Sequence, residues 1–95
     1  MVKACSYELT PKGVYRVKLL DNVYDTVGGI TGSYNVLLSR LLGLTYADFF
    51  RYLIKNYDVE VKGRNSKYLS FVFKNEKDVK NFCSVINSRW SCIFK

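Results

Sequence analysis

Lys62, Arg64, Lys67 and Lys74 fall within residues 61–75, a stretch that contains no acidic residue. Cationic side chains at this density hold phosphate oxygens and other anions, by contact and by their summed field. Arg16 and Lys18 alternate with Tyr15, Val17 and Leu19, so a strand would put both cations on one face. The whole chain carries a net charge of +7, unevenly spread: residues 1–20 sum to +3, residues 21–60 to −2 and residues 61–95 to +6. A polyanion is therefore the partner that the charge favours.

Catalysis is less favoured. The chain contains no histidine. A serine or cysteine nucleophile would lack its usual base. The carboxylates Asp21, Asp25, Asp48, Asp58, Glu60, Glu76 and Asp78 form no acid–base motif. The chain is expected not to be an enzyme. Cys5, Cys83 and Cys92 are widely spaced, with no CxxC pair and no histidine beside them, so no metal site and no cofactor is expected. They read as reduced thiols serving as small apolar residues; a Cys5–Cys92 bridge would require the termini to meet.

A second anion-binding candidate is the loop Gly28, Gly29, Ile30, Thr31, Gly32 and Ser33. Backbone N–H groups ahead of a helix can cradle a phosphate. The loop lacks the lysine of a P-loop and does not match GxGxxG, so it reads first as a flexible entry to the following helix, with Ser33 as its N-cap.

These candidates must be positioned by a small fold. Ninety-five residues make one domain, 1–95, with residues 1–13 expected to be loosely ordered. Pro11 and Gly13 punctuate that start. A strand follows over residues 14–20, then a turn at Asp21-Asn22 and a short return strand at 23–27. Val36, Leu37, Leu38, Leu41 and Leu42 mark a helix ended by Gly43. Thr45 and Asp48 mark the start of a second helix, whose stripe is Tyr46, Phe49, Phe50, Leu53, Ile54 and Tyr57. Strands are expected at 59–62 and 67–73. Asn75 and Asp78 open a third helix with the stripe Val79, Phe82, Cys83, Ile86 and Trp90. Residues 91–95 read as a last strand. The resulting order is an α+β, ferredoxin-like split βαββαβ sandwich.

Two resemblances bear on function. Residues 67–79, from Lys67-Tyr68-Leu69-Ser70-Phe71 to Asp78-Val79, resemble the third strand and second helix of an RNA recognition motif, and residues 14–19 are similar to its first strand. With Tyr15, Val17 and Leu19 under the helices, strand parity leaves an open sheet face showing Arg16, Lys18, Lys62 and Tyr68. That face is basic with one aromatic, unlike the two- or three-ring platform of the family. The resemblance implies cations on phosphates, and Tyr68 is expected to stack on a base. Residues 35–57 resemble a helix-turn-helix around Gly43, with Ser39 as the small residue and Phe49 as the buried anchor. That alternative, a winged helix-turn-helix with 59–73 as the wing, would turn Ala47, Asp48, Arg51 and Lys55 toward a major groove.

The leading expectation is a small, basic, non-catalytic domain that binds nucleic acid or a nucleoprotein through Arg16, Lys18, Lys62, Arg64, Lys67, Tyr68 and Lys74. The alternative is an accessory protein that binds and inhibits a host protein. The short Lys-, Asn- and Tyr-rich chain resembles the small proteins of phages and mobile elements, anti-CRISPR inhibitors among them. Tyrosine is well suited to such interfaces. The third is a nucleotide-ligand binder using residues 28–33. No apolar run spans a bilayer and residues 1–13 hold no signal-peptide core, so a cytoplasmic protein away from membranes is expected.

Overall fold

A computed structural model describes residues 4–19, 34–62 and 70–93. It is a small α+β domain. The described elements run β1 (Cys5–Leu9), β2 (Tyr15–Leu19), α1 (Tyr34–Leu41), α2 (Tyr46–Asn56), β3 (Val59–Lys62), β4 (Ser70–Phe73) and α3 (Glu76–Ile93). The four strands form one antiparallel sheet in the order β1-β2-β4-β3.

Strand pleating sorts the side chains. Cys5, Tyr7, Tyr15, Val17, Leu19, Val59, Val61, Phe71 and Phe73 belong to the core or pack against it. Their neighbours Ser6, Glu8, Arg16, Lys18, Glu60, Lys62, Ser70 and Val72 take the other face, as period-two alternation requires. Helix α3 lies along β1, β2 and β4, while α1 packs on α2 and α3.

The centre of the core is aromatic. Phe82 sits 5.3 Å from Phe73, 5.7 Å from Tyr57, 6.2 Å from Phe71 and 6.4 Å from Phe49, ring centre to ring centre. Tyr57 meets Phe82 at 90°, an edge-to-face arrangement that adds about 0.5–1.5 kcal/mol to area burial. The Tyr57 hydroxyl lies 3.2 Å from that of Tyr52. Burial, then the bond to Tyr52, pushes the ionisation of Tyr57 well above the usual tyrosine range.

Local signals account for the helix ends. The Leu44 N–H donates to the Ser39 carbonyl at 2.9 Å and the Gly43 N–H to that of Arg40 at 3.0 Å. This is a Schellman ending, and Gly43 takes the left-handed φ of 70° that it demands. Thr45 caps α2 by accepting from the Asp48 N–H at 3.2 Å. Asn75 does the same for α3, with the Asp78 N–H at 2.9 Å. Pro11 and Gly13 close the β1–β2 hairpin, where the Gly13 N–H reaches the Thr10 carbonyl at 3.0 Å and Gly13 has φ 80°.

Three expectations are corrected. Residues 5–9, expected to be loosely ordered, are strand β1, and Ala4 and Cys5 are fully buried. The alternation of Cys5, Tyr7 and Leu9 is a strand pattern whose partner is only a short hairpin away. Residues 91–93, expected in a last strand, continue α3. Ser88-Arg89-Trp90-Ser91 contains no glycine or proline to stop the helix, and Trp90 extends the buried stripe one turn past Ile86. The βαββαβ order is therefore not the order of the described elements: the edge beside β2 is filled by β1, from the other end of the chain. The expected return strand at 23–27 lies outside the described residues.

The helix stripes match more closely. Phe49, Phe50 and Leu53 are buried, as are Val79, Phe82, Cys83, Ile86 and Trp90. Ile54 departs from expectation at 53% exposure, and Tyr46 also faces solvent. No described helix is long and apolar enough to cross a membrane.

Candidate anion-binding surface

The outer sheet face arranges its charges in two rows. Register pairs Ser6 with Lys18 and Lys62 with Ser70. Tyr15 pairs with Phe73; carried along the strands, that register puts Lys18 in line with Ser70. One row is thus Ser6, Lys18, Ser70 and Lys62. The neighbouring row is Glu8, Arg16, Val72 and Glu60. Lys18 and Lys62 stand on strands with β4 between them, and their fields reinforce each other most at low salt, where screening is weak.

The second row holds two carboxylates and one cation. Arg16 donates to Glu8 across the hairpin, and the Lys18 ammonium lies 3.5 Å from the same carboxylate. The hydrogen bond from Arg16 holds the Glu8 carboxyl below its ordinary value, against a smaller opposing desolvation; the charges of Arg16 and Lys18 add to the lowering. Glu8 and Glu60 are members of this face that strand patterning missed. The signal for Glu8 was available, since a hairpin closed by Pro11 and Gly13 brings residue 8 opposite residue 16.

The remaining expected cations are separated. Lys62 is exposed at the end of β3 that leads into residues 63–69. Lys74 is exposed just beyond the other end of the strand pair, where its backbone N–H donates to the Asp58 carbonyl at 3.0 Å. Lys74 therefore does not share the Lys18–Lys62 end. Arg64, Lys67 and Tyr68 lie outside the described residues, as do Gly28, Gly29, Thr31, Gly32 and Ser33; the segment holding Arg64 and Lys67 leaves from Lys62 and returns to Ser70. On α2, Ala47, Asp48, Arg51 and Lys55 are all exposed, with Arg51 tied to Asp48 at 3.0 Å. Ser39 and Phe49 are buried.

A second feature lies between β1 and α3. A groove of about 460 Å³ is lined by Cys5, Ser6, Lys80, Cys83, Ser84 and Asn87, among others. Sequence patterning missed it because its two walls come from opposite ends of the chain. Among the described residues no group of three His, Cys, Asp or Glu side chains could hold a metal ion.

No protein-family model, curated protein or solved structure matches the chain.

Proposed function

We propose that this chain is a non-catalytic binding domain that grips the phosphate backbone of a nucleic acid, free or within a nucleoprotein. The grip is the Lys18–Lys62 end of the outer sheet face, together with Arg64 and Lys67 from the segment that joins Lys62 to Ser70. The observation that supports the reading is the sorting of charge: extending the Tyr15–Phe73 pairing along the strands puts Lys18 and Lys62 in one row and Glu8 and Glu60 in the other. Arg16, hydrogen-bonded to Glu8, is then a strut more than a phosphate ligand; Lys18 shares that carboxylate at 3.5 Å and exchanges it for a phosphate on binding, and Lys74 is peripheral.

The described part of the face holds no aromatic side chain, so affinity comes from charge, with Tyr68 the residue proposed to stack on a base. Sequence preference is accordingly weak. The finer fold reading, a ferredoxin-like sandwich with its fourth strand supplied by the N-terminus, is supported by the antiparallel β2-β4-β3 order with helices between β2 and β3.

Fluorescence anisotropy with labelled single-stranded and duplex oligonucleotides tests the reading across a salt series. Four phosphate contacts predict a slope of log K against log salt of about −3 to −4 on duplex. Absence of binding to either polymer at low salt overturns it. A lysate pull-down whose protein partner survives nuclease treatment would favour the host-protein alternative instead.

A further inference from the structure

We propose that Cys5 and Cys83 form a thiol–disulfide switch that staples the N-terminal strand to the C-terminal helix. The two sulfur atoms lie 2.7 Å apart, although their residues are 78 positions apart in the chain. An S–S bond is ~2.05 Å long, so closing it takes a sub-ångström movement of side chains already facing each other. The backbone is held in place for this. Asn87 accepts from the Cys5 N–H at 2.8 Å and donates to the Cys5 carbonyl at 3.3 Å, one turn of α3 beyond Cys83.

The groove between β1 and α3 gives the reagent its way in. Both cysteines line it, and Cys83 retains 4% exposure while Cys5 has none. Cys83 is therefore the entry thiol and Cys5 the resolving one. Lys80 also lines the groove, and the Cys83 thiol donates to the Ser6 carbonyl at 3.5 Å. The co-reactant is a low-molecular-weight disulfide, RSSR. The Cys83 thiolate attacks one of its sulfurs, forming a mixed disulfide and expelling RS⁻. The Cys5 thiolate then attacks the Cys83 sulfur, forming the Cys5–Cys83 bond and expelling the second RS⁻. The two protons given up by the protein thiols convert both leaving groups to RSH. The protein is oxidised by two electrons and RSSR is reduced by two.

Closure converts a packed contact between β1 and α3 into a covalent one, and cross-links most of the chain in its unfolded state. Cys92 is exposed on the same helix and is the built-in control. The test treats the full chain, natively folded, with glutathione disulfide, followed by non-reducing peptide mapping and thermal melting, in parallel with Cys92→Ser. The expected result is a Cys5–Cys83 linked peptide in both chains, the loss of two hydrogens per linkage, and a melting temperature raised on the order of 10 °C that returns on reduction. Adducts or dimers confined to Cys92, no oxidation of Cys5 and Cys83, or a linked chain that melts no higher than the reduced one each overturn the proposal.

Discussion

Asn87 holds Cys5 by both of its backbone groups. The Asn87 carbonyl oxygen takes the Cys5 N–H and its amide nitrogen gives to the Cys5 carbonyl. A side chain on α3 thus does for the outer edge of β1 what a fifth strand would do. Edge strands with unmet backbone groups invite pairing with other chains, and this clamp removes the first residue of β1 from that risk.

Replacing Asn87 by alanine leaves a buried N–H and carbonyl without that partner. The expected cost is about 1–3 kcal/mol in urea unfolding, with loss of hydrogen-exchange protection at the Cys5 amide. A variant as stable as the parent, with the Cys5 amide still protected, would show that the clamp contributes nothing.

Gly43→Ala isolates a backbone effect. A Cβ at this position meets nothing within 4 Å, so sterics with neighbours play no part. The left-handed φ alone predicts a loss of about 1–2 kcal/mol. Denaturation midpoints that coincide for the two chains would mean that the Schellman ending tolerates a side chain.

Phe82→Ala removes the ring on which Phe49, Tyr57, Phe71 and Phe73 converge. A loss of about 3–5 kcal/mol is expected, a large share of the total stability of a small domain. Calorimetry settles it: a destabilisation under about 1 kcal/mol would place the packing centre elsewhere.

Glu8 gives the face a pH dependence. Its carboxyl is held below the ordinary value of 4.5 in the folded chain, chiefly by the hydrogen bond from Arg16. A carboxylate depressed on folding stabilises the fold above its unfolded value, and loses that contribution as pH falls through the lowered one. The stability gap between the parent and Glu8→Gln should therefore close as pH drops below 4.5. A gap that is constant from neutral to acid pH would contradict the pairing.

Much of the fold was legible where the signal is local. Asn75 with Asp78, Thr45 with Asp48, Gly43, and the stripe from Val79 to Trp90 all sit within a helical turn or two of their partners. The misses are non-local or lack a stop signal. Cys5-Ser6-Tyr7-Glu8-Leu9 alternates like a strand, but its short length and the Pro11 that follows made it resemble a tail. Cys92 and Ile93 have the apolar character of a strand, yet nothing after Trp90 ends the helix. The site followed the same division. The basic bias of residues 61–75 could be read directly. The alignment of Lys18 with Lys62 depends on β4 inserting between β2 and β3, and the meeting of Cys5 with Cys83 depends on the whole chain folding back.

The sorted rows of charge are the central claim, and charge reversal tests them most directly. Lys18→Glu with Lys62→Glu is compared with Lys55→Glu with Lys74→Glu, a double reversal of equal net charge away from the Lys18–Lys62 end, in oligonucleotide anisotropy at low salt. The predicted result is that the first pair weakens binding at least about tenfold more than the second and flattens the salt slope by about 2. Equal losses for the two pairs would contradict it, since they would reduce the interaction to net charge with no site on the sheet.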